Sequence, residues 1–257
     1  MVDTVRPRIG VLSALHAEQQ MLLQHLQAAR PLQLHGQRAY HRGRLWGFEV
    51  VLVLSGIGKV AAATSATSLI AEFGCKALLF TGTAGGLGDG VDIGDIVVAE
   101  HFVQHDLDAS PLFPRFEVPL TGRSHFPADT TWGARLAEAS QQALQGMLSD
   151  LAGHARLQAL GIAAPRLHRG LLLSGDRFVC GPRQAGQLRE MLPEALAVDM
   201  ESAAVAQVCA DYRVPFAALR CISDRADATA PGDFDRFTNL VARHYSAAVL
   251  RLALRGY

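Results

Sequence analysis

The stretch Ala197–Cys209, AVDMESAAVAQVC, sets two carboxylates, Asp199 and Glu201, at the joint between an apolar run and an alanine-rich segment. Leu196, Ala197 and Val198 read as a short buried strand, and Ala203, Ala204, Ala206 and Val208 recur at a spacing that suits a buried helix. A strand that turns directly into a helix is the unit of an α/β fold. Acidic residues at a helix start complement the positive end of its dipole. Packing alone, however, does not call for two of them here.

Outward from this joint the same alternation recurs. Arg8–Leu15 (RIGVLSAL) reads as a buried strand and His16–Ala29 as an amphipathic helix, with Met21, Leu22 and Leu26 on one face. A β-hairpin is expected across Ala39–Leu54, then a glycine turn and a helix in SGIGKVAAATSATSLIAEFG with Gly74 as its stop. Strands follow at Ala77–Leu87 and from about Asp95, helical text at about Thr131–Leu151, and a strand with a glycine turn at His168–Val179. The strand PFAALRCISD and a last helix from about Asp235 to Leu254 complete the series. The expected fold is a single α/β domain over 1–257, with a central mixed, twisted β-sheet flanked by helices. Ser110 to Asp129 carries four prolines and a glycine among aromatics and reads as an irregular excursion, with an enlarged region continuing to about Arg166.

The 257 residues carry 24 basic and 24 acidic side chains, and 49% are hydrophobic. With no net field, a nucleic-acid or polybasic membrane role has no electrostatic support. Cys75, Cys180, Cys209 and Cys221 lie in apolar text without metal spacing and read as core residues of a reducing compartment. The N-terminal apolar run is too short for a signal segment, and nothing reaches the roughly 18 apolar residues of a membrane span. The expected location is cytoplasmic.

Ligands of open α/β sheets bind at the carboxyl ends of strands. The text just after the apolar runs is therefore where chemistry is sought: Glu18 in SALHAE, Thr83–Gly86 in TGTAGG, Phe178 in SGDRF, Glu201 after AVDM, and Asp224 in ISDRAD. Each has a plain structural alternative. Glu18 suits a first-turn helix acid, Asp224 a cap, the glycines a turn and Phe178 the core. Several carboxylates and an aromatic at strand ends of one sheet are harder to explain that way.

The segments SGIGKVAAA, TGTAGGL, SGDRFV, VDMESAAVAQVC and VPFAALRCISDRAD, in this order after IGVLSALHAE, resemble the nucleoside phosphorylase and nucleosidase superfamily. Within it they most resemble the 5′-methylthioadenosine/S-adenosylhomocysteine nucleosidases. The likeness is weak from Ser110 to Arg166. It implies hydrolysis of the N9 glycosidic bond of an adenine nucleoside in a homodimer, with no metal or organic cofactor.

The resemblance gives Asp224 the role of general acid toward purine N7, with Ser223 beside it, and Glu18 that of the residue orienting and deprotonating water. It gives Glu201 the ribose hydroxyls, with Met200 as part of the sugar floor. Phe178 stacks on adenine and the Val179 main chain reads its edge. Thr83, Ala84 and Gly85 border the ligand, and Ile57 and Phe234 line the pocket for the 5′ substituent. Asp199 is assigned to local structure. Thr83 replaces a common serine, and Ala109 and Leu112 match only approximately the positions that reach a neighbour's pocket. SALHAE and LLFTGTAGG lack the arginines with which family phosphorylases hold phosphate, and Glu18 would repel that anion. Hydrolysis is thus favoured. Other readings stay open: a hydrolase of another adenine nucleoside such as aminofutalosine, a phosphorylase, or a silent nucleoside-binding protein.

Overall fold

A computed structural model describes residues 7–33 and 38–255. In chain order the elements are β1 (Ile9–Ser13), α1 (His16–His25), β2 (Gln27–Gln33), β3 (Ala39–Leu45), β4 (Phe48–Leu54), α2 (Lys59–Ala71), β5 (Ala77–Gly86), β6 (Ile96–Gln104) and β7 (His125–Pro127). They continue with α3 (Thr130–Ser149), α4 (Leu151–Gln158), β8 (Leu167–Ser174), α5 (Pro182–Met191), β9 (Ala195–Asp199), α6 (Ser202–Tyr212), β10 (Phe216–Asp224), α7 (Ala230–Phe237) and α8 (Arg243–Ala253). A short π-helical turn, Thr238–Ala242, joins the last two.

The sheet is mixed, as the sequence reading expects, but part of it closes on itself. β5 pairs in parallel with β1 over its first half and with β10 along its length. β10 runs antiparallel to β6, β6 parallel to β8, and β8 parallel to β9. β9 then returns to β5 through the antiparallel pairs Gly85–Val198 and Gly86–Ala197. Strands β5, β10, β6, β8 and β9 therefore form a ring, while β1, β4, β3 and β2 extend from it as a sheet. Closure depends on the far half of β5 bending away from β1 toward β9.

The strands in the ring are apolar on both faces because helices cover both. β10 is buried at all nine residues. One core layer joins Val11, Leu79, Leu219, Leu136, Leu144 and Leu250 under α1, α3 and α8. The other joins Leu12, Phe80, Ala66, Ala203, Val205 and Phe216 under α2 and α6. Alternate residues of one strand thus feed opposite layers.

Several boundaries differ from the sequence reading. The helix expected to run to Ala29 ends at His25, and Gln27 begins β2, which pairs with β3. Edge pairing overrides helical propensity there. Helix α5 is not announced by apolar periodicity, since only Ala185 and Leu188 of its ten residues are buried; Pro182 at its first turn is the local signal. The excursion after Ser110 is built of turns, but its end pairs with β6 as β7. Cys75, Cys209 and Cys221 are buried as expected, whereas Cys180 is exposed, because it lies in the loop before α5 rather than in an apolar element. No helix among the described residues is long and apolar enough to cross a membrane.

Candidate functional site

The ends of β1, β5, β8, β9 and β10 meet around a cavity of about 380 Å³, a size typical of small-molecule sites. Glu18, Ile57, Thr83, Ala84, Gly85, Phe178, Val179, Met200, Glu201, Ser223, Asp224 and Phe234 all line it. These twelve residues are therefore brought to one place, whereas Gly86, Ala109 and Leu112 lie outside the cavity wall. The cavity wall also includes Gly82, Arg177, Asp199 and Arg220, which strand-end reasoning did not assign to it.

Glu18 sits in the first turn of α1 and is fully buried. The Ala14 and Leu15 amides donate to its Oε2 at 3.1 and 2.9 Å. From β5 the Thr83 amide and hydroxyl donate to Oε1 at 3.0 and 3.3 Å. The plain helix-cap role is real, but it uses only one carboxylate oxygen. The other is drawn to the end of a different strand. Burial raises the Glu18 carboxyl above the ordinary glutamate range, while these amides and the Arg220 guanidinium pull the other way.

Asp224 closes β10 with a different set of partners. The Ser223 hydroxyl donates to Oδ2 and the Ala226 amide to Oδ1, each at 2.9 Å. Burial is again the main cause of a raised carboxyl pKa, and here nearby Asp227 and Asp233 add to it. Gly85 makes room for this group: a Cβ at that position would lie 2.9 Å from Asp224 Oδ1. Gly82 serves the Glu18 side in the same way, since its Cβ would lie 3.0 Å from Arg220 Nη1 and 3.2 Å from Glu18 Oε1.

Glu201, at the entry to α6, accepts the Gly58 amide on Oε1 at 2.9 Å and the Met200 amide on Oε2 at 3.3 Å. Burial, with Asp199 nearby, pushes its carboxyl up to about 7.

Asp199 is the hub of a buried network, which supports its assignment to structure. It accepts the Ser174 and Ser202 hydroxyls and the Glu201 and Ser202 amides, and it pairs with Arg220 Nε at 2.8 Å. Arg220 in turn lies over the Phe80 ring, 4.1 Å from its centroid. Its Nη2 is buried without a protein partner, on a side chain that lines the cavity. SALHAE and LLFTGTAGG carry no arginine, as read from the sequence, but Arg177 and Arg220 reach the cavity from elsewhere, the latter from the middle of β10. A charged residue inside an apolar strand, AALRCIS, is the one signal that could have marked it.

At the mouth, Phe178 and Ile57 are 43% and 57% exposed. Phe178 meets Phe234 edge to face, with centroids 5.9 Å apart. The floor is thus rich in buried carboxylates, and the rim is apolar. Such a site suits a ligand with a flat apolar part, hydroxyls and a bond broken by proton transfer. Among the described residues there is no group of three or more His, Cys, Asp or Glu side chains arranged to hold a metal ion.

Residues 8–255 match the family model of the phosphorylase superfamily. The 5′-methylthioadenosine/S-adenosylhomocysteine nucleosidase of Shewanella denitrificans is 33% identical, over 95% of this chain and 96% of its own. The Neisseria meningitidis enzyme of the same name, solved with methylthio-immucillin-A, is 31% identical with a TM-score of 0.83, covering 97% of this chain and 99% of its own. A futalosine hydrolase from Helicobacter pylori is 30% identical with a TM-score of 0.80, over 96% of this chain and 97% of its own.

Proposed function

From the membership of this chain in the phosphorylase superfamily, and within it in the 5′-methylthioadenosine/S-adenosylhomocysteine nucleosidases, we propose that it hydrolyses the N-glycosidic bond of these two adenine nucleosides. The products are adenine and a 5-thio-substituted ribose. The observation that carries the mechanism is that two desolvated carboxylates, Glu18 and Asp224, reach one cavity from different strand ends with different hydrogen-bond support.

The bond breaks through an oxocarbenium-like sugar, so the purine must leave with a proton and water must arrive at C1′. Asp224, whose protonated form is favoured by burial and its acidic neighbours, donates to purine N7 as the C1′–N9 bond breaks. Water adds to C1′ and gives its proton to Glu18, whose carboxylate is aimed by the Ala14 and Leu15 amides and by Thr83. The Arg220 guanidinium beside Glu18 favours its charged form, against the burial that raises this carboxyl. Glu201 accepts hydrogen bonds from the ribose hydroxyls, Met200 floors the sugar, and Phe178 stacks on the adenine. The Val179 backbone reads the purine edge, and Ile57 and Phe234 receive the 5′ group.

Hydrolysis rather than phosphorolysis is supported by the Arg220 Nε pairing with Asp199 and by the Glu18 carboxylate beside that guanidinium, which repels an anion. The exposed Ile57, Val60 and Leu112 side chains support a homodimer in which a second copy covers the apolar rim. The free thiols of Cys75, Cys180, Cys209 and Cys221 suit a reducing compartment such as the cytoplasm.

The test is adenine release from 5′-methylthioadenosine, compared in phosphate-free buffer and in excess phosphate. Equal release with free methylthioribose is expected, and release only with phosphate would replace hydrolysis by phosphorolysis. Aminofutalosine run in parallel decides the rival substrate. Light scattering reads the dimer.

A further inference from the structure

Where three chain segments meet beside the site lies a polar cluster that the described mechanism does not use. β6 ends at Gln104, and the His105 amide donates to Ser174 O at 3.0 Å, which sets the next residue, Asp106, against the loop after β8. Asp106 Oδ2 accepts the Asp176 amide at 2.9 Å, and its Oδ1 pairs with Lys59 Nζ at 2.6 Å. Asp176 Oδ1 accepts the Lys59 amide at 2.7 Å. The three residues therefore form a closed cycle with both backbone and side-chain links.

Each end of the cycle leads into the cavity. Asp176 is two residues before Phe178, on the loop that carries the purine contacts. Lys59 starts α2, and the amide just before it, that of Gly58, is the one that holds Glu201. The backbone is fitted closely to the cluster. Gly58 has a φ of +98°, and a Cβ there would lie 3.1 Å from Asp176 Oδ1. A Cβ on Gly175 would lie 2.4 Å from His105 Nε2 and 3.0 Å from Asp106 Cγ.

We propose that Asp106 and Lys59, joined through Asp176, form a latch that fixes the purine-side loop and the sugar-side loop of the cavity relative to each other. They are positioning residues for glycosidic bond hydrolysis, and this rests on the functional reading above. An exposed ion pair would carry little weight, but the Lys59 and Asp106 side chains are only 18% and 28% exposed. Burial pushes the Asp106 carboxyl up, and Lys59 with the Asp176 amide outweighs it, so the group stays below the usual aspartate range. The latch is therefore charged and closed at neutral pH. It matters because hydrolysis needs base and sugar held at once: the purine must be placed for its proton while C1′ faces water, and misplacement by about 1 Å can cost roughly 100-fold.

The test compares Asp106→Asn, Lys59→Met, the double variant and Lys59→Arg, with melting temperatures measured alongside. Asp106→Asn and Lys59→Met should each lower kcat/KM for 5′-methylthioadenosine by about 10- to 100-fold, with KM raised and kcat lowered. The double variant should be no worse than the weaker single, as expected for one cooperative unit, and Lys59→Arg should recover most of the activity. Amide exchange should quicken together at Lys59 and Asp176, while β1, β5 and β10 stay protected. A lower melting temperature with unchanged kcat/KM, or losses that multiply in the double variant, would overturn the latch. Should the wild-type protein release no adenine, the functional reading fails instead, and exchange still decides the latch: acceleration at both loops supports it, acceleration at one alone refutes it.

Discussion

The corner between β1 and α1 and the end of β10 both deliver a buried carboxylate to the same cavity, and they prepare it in opposite ways. At the first, Glu18 receives three amide donors and a hydroxyl and has Arg220 beside it. At the second, Asp224 receives one hydroxyl and one amide and has two further aspartates nearby. Burial lifts both carboxyl pKa values, but donors and a cation favour the charged form while neighbouring acids favour the neutral one. Two residues of similar chemistry are thereby separated into a proton acceptor and a proton donor.

Replacing Asp224 by Asn is the strongest attack on this division. It removes the proton while keeping the volume and a carbonyl acceptor, so kcat should fall by about 10²- to 10⁴-fold with nucleoside binding retained by calorimetry. Near-normal turnover would end the assignment. The same variant should be more stable than the wild type at pH 8. A carboxyl whose folded pKa is raised contributes stability that is complete below its unfolded pKa and is lost as pH rises through the folded one. The gain in melting temperature should therefore shrink as pH falls into the ordinary aspartate range.

Glu18→Gln breaks the other half. A loss in kcat of about 10²- to 10³-fold at nearly constant KM is expected, and a rise in KM alone would move Glu18 to a binding role. In the wild type, log kcat/KM should rise with pH as Glu18 ionises and fall as Asp224 does, each limb displaced upward by burial. Asp224→Asn should abolish the falling limb, and Glu18→Gln the rising one.

Arg220→Met sharpens the comparison, because this arginine favours the charged form of Glu18 but is not among the groups that shift Asp224. The rising limb should move to higher pH and the falling limb stay in place. Leaving Asp199 buried without its cation should also destabilise the fold by about 3–5 kcal/mol, read from denaturant unfolding. The smallest effect belongs to Thr83→Val, which keeps the amide and the shape but deletes the hydroxyl 3.3 Å from Glu18. A loss of about 0.5–1.5 kcal/mol of interaction corresponds to no more than roughly a tenfold fall in kcat/KM.

The two halves of the site were not equally legible. Glu18, Glu201 and Asp224 could be located because each follows an apolar run, and strand ends are where an α/β fold exposes chemistry. Arg220 was hidden because it lies inside such a run, where alternation predicts core; only the return of β9 to β5 puts Asp199 beside it. Helix α5 was missed because it buries only Ala185 and Leu188, too few for a period to appear. The first residues of β2, Gln27–Ala29, carry helical text because edge pairing with β3 is a contact between separate segments that no local period announces.

Local periodicity and side-chain size account for the alternation of strand and helix, the carboxylates at strand ends and the glycines beside them. The donors from Ala14, Leu15, Ser223 and Ala226 are chain neighbours of the carboxylates they serve, but tertiary contacts set the closure of the strands into a ring, the place of Arg220 beside Glu18 and the Thr83 donors on its second oxygen. Those outcomes depend on which distant backbone amides and charges are brought within hydrogen-bonding distance, and no local pattern encodes that.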